Sequence, residues 1–317
     1  MLCVSEDRRI RAARSRGPHE TQGFMGWGGV SGRKGAVVDR WIRAKLPAMA
    51  STSPVPPQAV LRNRTKIDAL TANQLAALRQ ALTAVYGIND DRGFAYWAGI
   101  HGLPLPISCQ HHNLLFLPWH RAYLYFFEQA LMDQVAGATL PWWDYFAAAQ
   151  PAIPDPYAQP SVNGAPNPLY RGPIQGIPPE QWARLGAGPM PAFTNRTPGR
   201  LGPFPSQDDV TRAIDAPTFT DFSNFVEAVH DNVHVWVGGT MSEIPVAAYD
   251  PIFWAHHCMM DRLWYLWQLK HPGADPPASV LGIALAPFRM TVTDTLSINA
   301  LGYEYAAAAI AVPKAPG

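Results

Sequence analysis

At 317 residues, 48% of them apolar, the chain is long enough to bury a sizeable core in one large domain or two small ones. Its formal charge of +1 is uneven: residues 1–50 carry ten Lys/Arg against four Asp/Glu, the remainder fifteen against twenty, so the body is mildly acidic and lacks the basic footprint of a nucleic-acid binder. Three cysteines (Cys3, Cys109 and Cys258) exclude a disulfide framework or a zinc ribbon, and no apolar run reaches the roughly 18 residues of a membrane helix.

Residues 1–57 are rich in Arg, Gly, Ser and Pro, with a short VVDRWIRAKL patch and little other apolar periodicity. They read as a basic disordered leader, or as an over-extended start upstream of Met49. No apolar stretch follows Arg8, Arg9 and Arg11, so an export signal is the lesser reading and a cytoplasmic location is expected. A single domain is expected over residues 58–310, with a short tail over 311–317.

Thr71 is an N-cap for ANQLAALRQALTAVY, a first core helix stopped by Gly87. In DDRGFAYWAGIHG, Phe94, Trp97 and His101 share one helical face that points to the core. Pro118 suits the first turn of a helix that runs from Trp119 to Leu131; His120 lies in that turn, and His111 and His112 in the loop before it. Residues 150–217 hold about half of the 32 prolines and no helix beyond a turn near PEQWARL. They read as a surface excursion, because the histidine-bearing segments on either side must meet. Helical periodicity resumes over 218–237 up to Gly238-Gly239, and again in YDPIFWAHHCMMDRLWYLWQLK up to His271-Pro272-Gly273. A short strand is expected in the tail.

With His19 and His271 set aside, the histidines form two groups: His101, His111, His112 and His120, then His230, His234, His256 and His257. Residues four apart share a helix face, so His230 and His234 can point at one centre. Core imidazoles are usually packing or hydrogen-bonding groups, but each set here can supply three ligands from two helices. Imidazole sets suit copper, zinc, nickel or iron, and no carboxylate cluster offers a magnesium or calcium site. A zinc protease needs HExxH, and Asp231 follows His230 instead. A di-iron bundle needs two Glu-x-x-His motifs; Glu227 to His230 is one and no second exists. Two three-histidine sites side by side remain, which is a copper pair.

FLPWHRAYLYFFE resembles the first copper-site signature of tyrosinases, and HDNVHVWVGG followed by DPIFWAHHCMMDRLW resembles the second, as in type 3 copper proteins generally. The likeness covers about residues 60–305. It implies a mainly α fold, a four-helix bundle holding a dinuclear copper site, with long proline-rich loops and a few short strands. Carried over residue by residue, it gives His101, His111 and His120 to the first copper and His230, His234 and His257 to the second, with His256 a structural neighbour. Cys109, two before His111, matches the cysteine that some members link to the histidine ring by a thioether. Asp261 matches a carboxylate that orients a ligand ring.

The implied activity is dioxygen-dependent oxidation of phenols and o-diphenols to o-quinones. Glu227 resembles the family's water-holding glutamate. Asp231 stands where strong monophenol hydroxylases often carry Asn, and a carboxylate there either acts as a base or repels a phenolate. By count from His257, Ile244 occupies the substrate-gate position. Tyr303-Glu304-Tyr305 resembles the motif that closes the tyrosinase core, with Arg62 expected as its cation–π partner. With no shielding domain following it, the chain is expected to be active once copper is loaded. The expected partners are small phenols and dioxygen, with a copper-delivery protein as in some bacterial members, and neither nucleic acid nor membrane. An o-aminophenol oxidase and a haemocyanin-like oxygen-binding protein are the alternatives.

Overall fold

The computed structural model describes residues 61–104 and 107–305; the expectations for residues 1–57 and for 311–317 lie outside the described residues. In chain order, the elements are β1 (Arg62–Arg64), α1 (Ala72–Tyr86), α2 (Phe94–His101), α3 (Phe116–Gln134), α4 (Asp155–Ala158), β2 (Ser161–Val162), β3 (Ala165–Pro166), α5 (Pro179–Ala183), α6 (Gln207–Ile214), α7 (Phe219–Val237), α8 (Pro251–Lys270), α9 (Ala278–Leu281) and β4 (Tyr303–Tyr305). The protein is mainly helical, as the periodicity predicts.

Helix α1 starts at a reciprocal cap, in which Thr71 accepts from the Gln74 backbone and the Gln74 side chain accepts from the Thr71 backbone. Its Leu78, Ala81, Leu82 and Val85 are buried, and it packs along α3. Helices α3 and α8 lie at the centre and are buried on nearly every side, so their aromatics stack on one another: the Phe127 and Trp254 rings lie 3.7 Å apart.

The proline-rich excursion is shorter in irregular chain than expected, since α6 escaped the sequence reading. Eight residues hold only one apolar turn, Val210, Ala213 and Ile214 at i, i+3 and i+4, too short to stand out in a proline-rich segment; Ser206 and Asp209 cap each other and hold the start. The excursion is fastened to α8 by Arg196, which donates to both oxygens of the helix-capping Asp250 at 2.9 and 3.1 Å.

Central helices that carry Arg121, Glu128 and Asp261 must pair them, because an isolated buried charge is costly. The partners arrive on the two chain-distant strands. β1 and β4 pair in parallel, Arg62 opposite Tyr303 and Arg64 opposite Tyr305. Arg64, fully buried, donates to Glu128 at 3.0 and 3.1 Å and to Asp261 at 3.2 Å. Arg121, Tyr303 and Tyr305 also donate to Asp261. The cation over the tyrosine motif is therefore Arg64, 3.8 Å above the Tyr303 ring, and not Arg62. Arg62, at the partly exposed end of the strand, donates instead to the Leu301 carbonyl and to Glu128.

Candidate metal centre

Four helices and one loop bring the histidines together. His101 is the last residue of α2, His120 lies in the second turn of α3, His230 and His234 share a face of α7, and His256 and His257 sit in α8. His111 comes from the loop before α3. Its neighbour His112 has a left-handed φ of 54°, which turns the chain so that the two consecutive rings diverge; the His112 side chain is 68% exposed.

One ring nitrogen from each of His101, His111 and His120 lies within 4.8 Å of the others, and the same holds for His230, His234, His256 and His257. The two sets share a wall: the His120 and His257 rings stack with centroids 4.4 Å apart, and His111 stacks on His230 at 5.6 Å. Phe253 against His257 and Phe116 against His230 close the apolar sides.

The protonation pattern suits a metal. Burial, reinforced by the neighbouring imidazoles, holds His101, His120, His230 and His257 well below the usual histidine pKa, and burial pushes His111 down to about 4. Neutral rings keep a lone pair. Backbone and side-chain oxygens decide which nitrogen presents it: Nδ1 of His120 faces the Phe116 carbonyl at 2.8 Å, that of His234 the Met241 carbonyl at 2.7 Å, and that of His230 the Asp231 carboxylate at 2.9 Å. Nε2 is left for the centre, as in metal-ligating histidines. His257 Nε2 stands 3.3 Å from that of His230 and 3.4 Å from that of His234, while His120 Nε2 is buried without a hydrogen-bond partner. Buried lone pairs converging without donors call for a cation, and an all-imidazole donor set fits copper.

The remaining expected residues fall as follows. Glu227 accepts the His112 backbone N–H at 2.5 Å, and burial pushes its carboxyl up to about 8, so it pins the loop that carries His111. Asp231 lies at the rim, its side chain 38% exposed, with one oxygen on His230. Ile244 is 37% exposed in a loop docked on the end of α2, where Leu103 N–H donates to Pro245 at 2.7 Å and a Cβ on Gly102 would stand 2.0 Å from the Pro245 carbonyl oxygen. Cys109 is a free, half-buried thiol pushed up to about 12 by burial.

Asp261 is a correction: its hydrogen bonds go to two arginines and two tyrosines, and none to a histidine ring. Full charges and phenols outcompete a neutral imidazole for a buried carboxylate, and Arg121, next to His120 in the sequence, reaches it first. Sequence reasoning missed Tyr145, whose hydroxyl meets His256 Nδ1 at 2.5 Å; a tyrosine 111 positions away leaves no signal in local spacing.

The family description "common central domain of tyrosinase" matches residues 91–270, a span that includes every one of these histidines. The chain belongs to the tyrosinase family. Among relatives of this type 3 copper family, a hemocyanin unit of Helix pomatia (beta-C chain, unit D) is 27% identical over 251 residues, 71% of this chain; the match spans 58% of that unit's length. A tyrosinase of Streptomyces glaucescens is 32% identical over 187 residues, covering 52% of this chain and 66% of that protein. Among solved structures, holo-protyrosinase of Aspergillus oryzae superposes with a TM-score of 0.65 at 25% identity, over 80% of this chain and 71% of that one. Tyrosinase-family membership and the two histidine clusters together fit a dinuclear copper site in an oxidase or an oxygen binder. Among the described residues no helix is long and apolar enough to cross a membrane.

Proposed function

We propose that this protein oxidises phenols and o-diphenols to o-quinones with dioxygen. His101, His111 and His120 hold one copper ion, and His230, His234 and His257 the other. The observation that supports the reading is the stacked His120–His257 wall between two neutral imidazole sets, an arrangement suited to two ions side by side.

Bound copper supplies dioxygen binding and electron transfer; two o-diphenols each give up two electrons and two protons, and one dioxygen leaves as two waters. The residues of this chain do the rest. His111, His234 and Asp231 are only half-buried and Ile244 is exposed, so among the described residues the centre opens to solvent on that side, which suits entry of a flat ring. Phe116 and Phe253 are fully buried and back the rings of His230 and His257, holding them in place. Asp231 fixes the tautomer and orientation of His230 and sets a carboxyl group at the mouth. Glu227, by holding the His112 backbone, positions His111.

The test is to load purified protein with copper and follow oxygen uptake with tyrosine, catechol and o-aminophenol. Uptake with catechol is expected. Reversible oxygen-dependent colour without turnover of any substrate sinks the reading in favour of oxygen carriage, the reading favoured by the hemocyanin likeness. Turnover of o-aminophenol alone moves the protein to o-aminophenol oxidation.

A further inference from the structure

The second cluster contains one imidazole more than a copper of this kind uses. We propose that His230, His234, His256 and His257 form a closed four-imidazole site for a d10 cation, with zinc as its natural probe, and that His256 is its fourth ligand. His256 is fully buried, stacks on His230 at 5.0 Å and meets His234 edge-on at 4.7 Å. A ring nitrogen of His256 falls within 4.8 Å of those of the other three.

The hydrogen bonds of His256 are those of a ligand. In His230 and His234, Nδ1 is taken by an oxygen, which leaves Nε2 for the metal. In His256, Nδ1 meets the Tyr145 hydroxyl and Nε2 is buried with no partner; with the Tyr145 proton directed to the His256 carbonyl at 3.5 Å, Nδ1–H donates to the hydroxyl and Nε2 keeps its lone pair. Among the described residues nothing else satisfies that nitrogen. His256 therefore presents a lone pair oriented by Tyr145.

The spacing suits tetrahedral zinc. With metal–nitrogen bonds of about 2.0–2.1 Å, the edge of a nitrogen tetrahedron is about 3.3 Å. The edges from His257 Nε2 to those of His230 and His234 are 3.3 and 3.4 Å, and a ring nitrogen of His256 lies within 4.8 Å of one on each of the three, close enough to draw in around an ion. Four protein ligands leave no open position, and closed sites are the non-catalytic kind. Zinc seated here occupies the place of the second copper and shuts the centre to dioxygen.

The experiment gives copper-free protein one equivalent of zinc and counts ligands by zinc-edge X-ray absorption. The wild type is expected to show four imidazole nitrogens and no oxygen, and His256→Phe, which keeps a ring in the same space, three imidazoles and one oxygen. Equal coordination in both proteins overturns the proposal. Tyr145→Phe keeps all four imidazoles and is expected to bind zinc about 10–100-fold more weakly, because it loses the partner that orients His256; unchanged affinity also overturns the proposal. Neither readout depends on phenol oxidation, so failure here leaves the copper reading standing, and loss of that reading leaves the zinc site to be judged on its own.

Discussion

Arg64 lies flat over the Tyr303 ring at 3.8 Å while its guanidinium donates to two buried carboxylates, Glu128 and Asp261. One side chain on β1 thus neutralises the polar heart of α3 and α8 and clamps β4. Its replacement by Met leaves Glu128 with the Leu140 N–H and, as cation, the peripheral Arg62, so Arg64→Met is expected to cost about 3–5 kcal/mol. Arg64→Lys is expected to recover little of this, because an ammonium can neither fork to two carboxylates nor stack. Urea unfolding midpoints measure both; a loss below about 1 kcal/mol for Met shows that the network does not hold the fold.

The same network marks the limit of what the sequence discloses. The long helices and both histidine sets were legible, because periodicity and i,i+4 spacing are local and α2, α3, α7 and α8 form where the pattern puts them. His111 could be chosen over His112 only by likeness, and the left-handed turn at His112 supplies the physical reason. Arg64 pairs with residues 64 and 197 positions away, and no local pattern separates it from Arg62 two residues earlier. Likeness alone pointed Asp261 at a ligand ring, but the choice of partner depends on which charges the fold brings near.

Copper content discriminates the two adjacent histidines. His257 Nε2 faces those of His230 and His234 at 3.3 and 3.4 Å, and its ring stacks on His120 of the first set at 4.4 Å. His257→Ala is expected to bind one copper per chain in place of two, and His256→Ala to keep both under anaerobic Cu(I) loading. If His256→Ala alone loses a copper, the ligand assignment is reversed.

Asp231 is expected to set the balance between phenol and diphenol. One of its oxygens accepts from His230, which orients the carboxylate at the mouth of the centre; burial raises its pKa, and its ionised form repels an incoming phenolate. Asn keeps an acceptor for His230 and removes the charge; at about 4 Å in water that repulsion is about 1 kcal/mol. Asp231→Asn should therefore raise the monophenol-to-diphenol ratio of kcat/KM about fivefold. A fall in the ratio identifies the carboxylate as the base that takes the phenolic proton, and no change removes it from the reaction.

Cys109 lies two residues before His111, its thiol kept protonated by burial that pushes the pKa up to about 12. Such a thiol resists disulfide exchange, so a thioether to the His111 ring requires oxidation at the copper centre. Protein loaded with copper in air is expected to be two hydrogen atoms lighter by intact mass than the copper-free protein, and Cys109→Ala to show no such difference. Equal masses for copper-loaded and copper-free wild type show that the link does not form.

Glu227 couples stability to pH. Burial raises its folded pKa to about 8 from an ordinary 4.5, so between those values the native state keeps a proton that the unfolded chain has lost. The folded state binds more protons, and stability must therefore fall as pH rises through that window. The slope is at most about 1.4 kcal/mol per pH unit, roughly 3 °C in Tm for a domain of this size. Glu227→Gln can still accept the His112 N–H but cannot ionise, so in the copper-free protein its Tm should match wild type near pH 4.5 and exceed it increasingly up to pH 8, after which the gap stays constant. A gap that does not widen across that range means that Glu227 ionises normally, and that the His111 loop is held by an ordinary carboxylate.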